Sequence, residues 1–569
     1  MALLISDIIF GVCIVLACSY LFHVVSRKTS NLPPGPVGWP LVGSLLQLHG
    51  LPNEALARLS KQYGPLMSVW LGCKATVVVS SAEMAEEVMH RQNHVFSGKI
   101  SLDAATAFGY DQHSFVLSQV GPRWRALRRM SNNEMFTPRR LDAMKGLREE
   151  KVGALIQHIR EAAADGRAVD IGECAFSITQ NLLACTLFSQ DIADLSSELT
   201  PGGFKSLVYE MLEIFSKPNL CDFFPALRWI DPQGLRRRNG NALTRLYVIL
   251  DQLIDEHLRA YEAAAAKGEA KKKEDFLDVL LELTRDPNSG FTRENIRPLL
   301  SVSSLYRSIY LSKFSLTSSH IVTHQILCCN FLLIYTKRTN FINAEWAREV
   351  INYASYLMLV RTEWAREDMF IAGSESSATT IEWAMTELLR HPDKMAAAQS
   401  ELKQAIGAGS FVKESDIMHL PYLMAVMKET LRLHTPGPVV PRRADATTTL
   451  GGFTIPKHTP ILINVWAINN DDTLWDKPTA FLPERFIESD VNFNGKHFQF
   501  MPFGAGKRIC PGIPLASRTV LLVLASLINS FSWTPSNQVA PEELDVKAKF
   551  RLVLQKAAPL KAFPSPLKD

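Results

Sequence analysis

The sequence lacks the signatures of several large protein classes. Its nine cysteines (Cys13, Cys18, Cys73, Cys174, Cys185, Cys221, Cys328, Cys329 and Cys510) form no CxxC pair, keep no regular spacing and are odd in number. That argues against a disulfide framework and a thiolate zinc site, and places the body in a reducing compartment. An excess of one charge is also missing: the formal net charge is +4, with no basic helix and no aromatic–basic interleave, so nothing points to nucleic acid. The basic run EAAAAKGEAKKKEDF (262–276) reads as a solvated loop or helix end. Repeats are scarce too, since AEWARE (344–349), TEWARE (362–367) and IEWA (381–384) are too few for a solenoid. What remains is a chain of 569 residues, 47% apolar and 21% charged, able to bury a large core in one large domain or two.

The first long apolar run, Ile8 to Val25, is about long enough to cross a bilayer as a helix. Asp7 precedes it, with no cation and no obvious small-residue cleavage site, which favours an uncleaved anchor over residues 1–26 rather than a signal peptide. Arg27 and Lys28 follow directly, so the positive-inside rule puts everything after residue 26 on the cytosolic side. The basic and Pro/Gly-rich stretch 27–44, containing NLPPGPVGWPLVG, forms a stiff linker. The main domain then runs over 45–569.

Strand-like stretches occur at 66–72, 75–80 and 451–468. Helical periodicity dominates elsewhere, at 81–92, 121–136, 148–164, 241–265 and 368–390. The expected fold class is mainly α with minor β. Residues 301–367, rich in Ser, Thr and Tyr around a greasy centre, continue neither the preceding helix nor a clean loop. They read as an insertion: a retained intron, with a tolerated loop insertion as the alternative.

Chemistry concentrates in FGAGKRICPG (503–512), where one cysteine stands between glycines. A buried structural cysteine needs no such setting. Glycines let backbone approach a flat ligand closely. A cation before the sulfur and a helix start after it both favour thiolate. Pro511 has no N–H, so backbone donors to the sulfur must come from Gly512, Ile513 and beyond. An anionic sulfur with few donors is a strongly electron-releasing ligand for iron.

The pattern F-x-x-G-x-R-x-C-x-G resembles the haem-thiolate loop of the cytochrome P-450 superfamily, and two further motifs agree in order and spacing. Glu429 and Arg432 in KETLRLHTP resemble the family's E-x-x-R helix, and Arg485 in FLPERF resembles the arginine of its buried ion-pair triad. The resemblance covers nearly the whole chain apart from 301–367 and is closest to plant microsomal A-type members, the geraniol 8-hydroxylase-like group. It implies the cytochrome P-450 fold, a helical bundle around haem with a small β-sheet region and an N-terminal transmembrane helix. Removing 301–367 would leave an ordinary length for that family.

The same resemblance assigns residues. Cys510 would be the axial ligand of the iron of haem b, and Phe503, Gly504 and Gly512 would shape the cradle. Trp124, Arg128, Arg442 and Arg508 would hold the propionates. AGSESS would form the groove where oxygen binds, with Glu375 connecting solvent protons and Ser376 placing a hydroxyl beside the oxygen. The family more often has Thr at that point, and Ser lacks the methyl that restrains the rotamer, so looser proton delivery is expected. A substrate pocket is implied over 98–118, near 204–220, at Phe370, Ala372, Val439 and Val440, and around Ala558. Arg125, Arg129 and Lys507 would either face an acidic flavoprotein reductase or form a merely solvated basic face.

The function so implied is an NADPH- and O2-dependent monooxygenase acting on a small apolar plant metabolite, a terpenoid by analogy. Electrons would come from NADPH through the flavins of a partner cytochrome P-450 reductase. The location would be the endoplasmic reticulum membrane, single-pass, with a cytosolic catalytic domain. The alternatives are a haem-thiolate isomerase or dehydratase needing no reductase, and a haem protein inactivated by the insertion.

Overall fold

The computed structural model describes residues 31–188 except Pro40, 204–266 except Pro218, and 370–567 except 537, 538 and 552. The anchor (1–26), most of the linker's first residues (27–30) and the insertion (301–367) lie outside the described residues.

A small sheet lies near the N-terminal end of the described chain. Strand β1 (Leu66–Leu71) turns at Gly72 (φ +58°) into β2 (Lys74–Val79), with Leu66 opposite Val79 and Leu71 opposite Lys74. Two distant strands complete it, β3 (Val439–Arg443) and β4 (Pro460–Asn464), giving the order β1-β2-β4-β3 with β2 and β4 parallel. Side chains alternate across a strand. Met67, Val69, Val78, Val439 and Leu462 therefore enter one core cluster, and Leu66, Val77, Val79, Val440, Ile461 and Ile463 enter another. The expected strand region 451–468 resolves into a tight hairpin (Thr448–Leu450 and Phe453–Ile455) through Gly451 and Gly452, then β4, then one short helix, Val465–Asn469. The Asn464 side chain ends β4 by accepting the Ala467 N–H at 3.1 Å, an N-cap.

Helices form the bulk. Those that build the interior are α1 (Pro122–Met130), α2 (Lys145–Ala164), α3 (Ile171–Phe188), α4 (Leu235–Ala266), α5 (Phe370–Arg390), α6 (Pro421–Leu433) and α7 (Ile513–Ser530). Helix α5 packs along α3 and against α6 and α7, so three apolar faces close on one another. Helix α7, whose residues from Thr519 to Ser530 are all buried, is the one described helix long and apolar enough to cross a membrane; its burial makes it the central core helix.

Two expected helices are interrupted. The run 121–136 is α-helical only to Met130 and then turns once as a π-helix (Ser131–Met135). Ser131 Oγ donates back to Leu127 O at 3.0 Å and Phe136 N reaches Ser131 O at 3.2 Å, the wider five-residue closure. The run 81–92 behaves alike, with a π turn over Glu87–Arg91 after Ala82–Glu86.

Polar residues of α5 face the interior rather than water. Ser374, Ser377, Thr379, Thr380 and Thr386 are buried, and Thr380 and Thr386 return bonds to the carbonyls of Ser376 and Glu382, both at 2.7 Å. Gly373 permits the closest approach: a Cβ there would lie 2.9 Å from Leu183 Cδ1 on α3.

Candidate functional site: a cysteine-walled cavity

The loop 503–512 lies just before the N-terminus of α7. Its amides fold it on itself: Gly504 N donates to Met501 O (3.0 Å), Ile509 N to Gly506 O (3.1 Å) and Cys510 N to Phe503 O (3.0 Å). Gly506 (φ +70°) has no room for a side chain, because a Cβ would lie 2.0 Å from Met89 O. Gly504 (φ +69°) is the converse: nothing lies within 4 Å of a Cβ built there, so its bare backbone leaves open space beside the sulfur loop.

That space is a cavity of about 310 Å³. Cys510, Phe503, Gly504, Gly512 and Arg508 form one wall. Ser376, Ser377, Thr380 and Gly373 of α5 line it too, and Thr179, Leu182, Leu183 and Thr186 of α3 extend the wall. Met427 and Leu431 come from α6, Val440 from β3, and Leu515, Thr519 and Val520 from α7.

Four cations line this cavity, Lys99, Arg128, Arg442 and Arg508, and among the described residues no carboxylate does. Arg442 is buried, makes one bond among the described residues, to Pro441 O at 3.0 Å, and burial brings its pKa down to about 10. Burial also lowers Arg128, partly offset by Cys510. Burying the Arg442 charge is costly, so the cavity suits an anionic, otherwise apolar occupant. We expect Arg442→Met to leave the melting temperature of the cofactor-free chain unchanged or raised while weakening retention of the occupant about tenfold. Equal cofactor retention in variant and parent would remove Arg442 from the clamp.

Burial pushes the Cys510 thiol up; the amides of Gly512 and Ile513 and the charge of Arg128 pull it back. The donors are those that Pro511 leaves available, and the helix start and a cation pull toward thiolate as expected, against the larger opposing effect of burial. Burial dominates, and the cation felt by the sulfur is Arg128, not Arg508. Arg508 is turned elsewhere: it donates to the carbonyls of Ser97 (3.2 Å), Val116 (3.4 Å) and Ser118 (2.6 Å) and stacks 4.6 Å over Trp124. Trp124 gives its indole N–H to Phe115 O at 3.0 Å, so here it carries Arg508 rather than offering a donor to an anion.

The Glu429 network lies behind the α6 residues that line the cavity. Arg432 meets both carboxylate oxygens at 2.8 Å, Arg485 meets Oε1 at 3.1 Å, and the Leu482 amide adds a fourth bond at 2.9 Å. Arg432 also donates to the carbonyls of Asn469, Pro478 and Ala480 and lies over Trp475. Glu429 and Arg432 are fully buried.

Other sequence-derived residues fall in different places. Glu375 is buried behind the wall and accepts from Gln555 Nε2, while Ser376 lines the cavity. Val440 lines it, but Val439 faces the opposite side of the sheet. In the C-terminal hairpin region Val553 lines the cavity and Ala558 does not. Phe370 and Ala372 lie in the first turn of α5, and their side chains lie outside the described residues. From 98–118, Lys99, Phe115 and Val116 line the cavity; among the described residues none of 204–220 does. Lys99 was missed: nothing in SGKIS distinguishes it from a surface lysine, and only the fold buries it.

Sequence comparison agrees with this geometry. The profile of the family described as Cytochrome P450 matches residues 33–302 and 358–561. The chain belongs to the cytochrome P450 family. It is 39% identical to geraniol 8-hydroxylase of Catharanthus roseus over 99% of both chains, and 38% identical to geraniol 8-hydroxylase of Swertia mussotii over 95% of both. It is 36% identical to sugiol synthase of Salvia miltiorrhiza over 95% of this chain and 96% of that one. The protein is thus a haem-thiolate monooxygenase, whose family uses haem iron, dioxygen and electrons from NADPH through a reductase. The site fits that cofactor: one sulfur ligand, open space at Gly504 for a flat ring, and cations matching two propionates.

Proposed function

We propose that this P450 hydroxylates a small terpenoid, inserting one oxygen atom into a C–H bond while the other leaves as water. The observation that carries the reading is a single cavity bringing Cys510, the Ser376 turn and the apolar side chains of Val440, Val553 and Leu183 together. The similarity to geraniol 8-hydroxylases over the full chain supports the substrate class.

The haem, when bound, supplies the oxidation. The chain's own residues do the rest. Cys510 provides the electron-releasing ligand, and Arg128, Arg442 and Lys99 offer charge to the propionates, with Arg508 fixing the adjoining loop. Ser376 presents a hydroxyl to the cavity and Glu375, one residue before it, holds the exchangeable proton. The apolar wall orients the hydrocarbon and keeps water out.

Arg125, Arg129 and Lys507 are exposed and supply a cationic face for an acidic flavoprotein reductase. Residues 1–26 serve as the membrane anchor, with the catalytic domain on the cytosolic side of the endoplasmic reticulum, supported by Arg27 and Lys28 after the apolar run. Residues 301–367 are an insertion in an otherwise continuous domain, supported by the unmatched stretch 303–357 between the two matched segments.

Turnover of geraniol with NADPH, reductase and isotopically labelled dioxygen tests the reading. The expected result is a monohydroxylated product carrying one labelled oxygen. Turnover without NADPH would instead identify an isomerase or dehydratase. A haem-loaded chain that oxidises no member of a terpenoid panel would overturn the substrate class.

A further inference from the structure

The C-terminal hairpin, Ala548–Phe550 with Leu554–Lys556, sits directly on α5. Its contacts fall at positions 375, 379 and 383, one helical face at four-residue steps. Leu554 O accepts from Thr379 Oγ1 (3.5 Å) and Trp383 Nε1 (3.2 Å), and Lys556 Nζ lies 4.9 Å from the Trp383 ring centroid. The next side chain, Gln555, donates from Nε2 to Glu375 Oε1. Leu554 N is itself tied to Pro436 O at 2.9 Å, and Pro436 lines the cavity. Gln555 is thus held through the anchored backbone of Leu554, the residue before it.

Tyr209, half-buried on the helix Phe204–Ser216, is within electrostatic range of Glu375, donates to Glu173 Oε2 at 3.1 Å and packs on Phe176 at 4.8 Å. Glu173 is exposed at the start of α3.

We propose that Gln555 is a positioning residue for proton delivery, fixing the Glu375 carboxylate beside the Ser376 turn. The inference rests on the reading of Glu375 as the proton carrier. A proton leaving the Glu375 carboxyl toward the cavity leaves a carboxylate that Gln555 holds in place. It is replaced by a proton from solvent water. No electron or further reactant enters the exchange. The hairpin also carries Val553 to the cavity, so the element that positions the acid also forms part of the substrate wall.

The test uses the full chain with haem, reductase and geraniol as the probe. Gln555→Met keeps the side chain's length and removes the donor. We expect the fraction of NADPH electrons lost as peroxide to rise about threefold to tenfold, with geraniol affinity, read from the haem spectral shift, unchanged. A catalysis-independent readout is the melting temperature of the cofactor-free chain across Gln555→Met, Glu375→Gln and both together. The second change should cost little once the first is made. Should Gln555→Met fail to fold, the exchanged pair Glu375→Gln with Gln555→Glu keeps a hydrogen bond and restores melting but not coupling. If Gln555→Met leaves peroxide unchanged while Glu375→Gln raises it, the positioning role is overturned and the Glu375 reading stands. If Glu375→Gln also leaves peroxide unchanged, both fall. Additive melting shifts would likewise overturn the contact.

Discussion

Glu429→Ala is expected to yield no stable, haem-retaining protein. Glu429 and Arg432 are fully buried, and Glu429 accepts four bonds, two from Arg432, one from Arg485 and one from the Leu482 amide. Removing the carboxylate leaves Arg432 with carbonyl partners but no counter-charge, at about 3–5 kcal/mol. The orphaned Leu482 amide adds about 1–3 kcal/mol. Against a total stability of about 5–15 kcal/mol, that is a large fraction. The damage also reaches the site, because Met427 and Leu431 on the same helix line the cavity. Arg485→Ala should be milder, since its side chain is 11% exposed and water can reach the partner left behind. Urea unfolding of the three chains, with haem retained per chain, checks the order. A Glu429→Ala protein that melts with the parent would show that packing around Trp475, not the ion network, holds this shelf.

The chemistry was more legible in the sequence than the walls around it. Cys510, its glycines and the Glu429–Arg432 pair lie within short linear segments, so their spacing survives in the sequence. The long helices were legible because their apolar steps repeat. What could not be read depends on contacts between distant segments. Lys99 looks like any surface lysine until the cavity closes over it, and Thr179, Leu183 and Thr186 are ordinary residues of an apolar helix. Gln555 meets Glu375 across 180 positions. The same limit explains Trp124 and Arg508, whose motif was visible but whose donors turned to carbonyls at Phe115, Ser97, Val116 and Ser118. Val439 and Val440 were named together, yet strand alternation gives only the second to the cavity.

Deleting residues 301–367 is expected to give a chain with a larger thiolate-type carbon monoxide difference spectrum, per mole of polypeptide, than the full 569 residues. The family profile leaves 303–357 unmatched, while 358–561 resumes ahead of α5. Loop entropy does not drive the difference, because lengthening a loop severalfold costs only about 1 kcal/mol. The composition does: IVTHQILCCNFLLIY (321–335) is a greasy run, and such runs exposed during folding promote aggregation. The damage falls where tolerance is least, because α5 must enter beside α3 with Gly373 against Leu183, and Ser376 follows within the same turn. The full chain should therefore lose yield and haem loading, while whatever fraction folds keeps the same spectral type, since the Cys510 loop lies far along the sequence. Equal amplitude from both chains would make 301–367 a tolerated loop and remove the case for a retained intron. A spectrum from neither would move the fault to the cradle itself, and the Arg442 and Glu429 variants would show which side of it had failed.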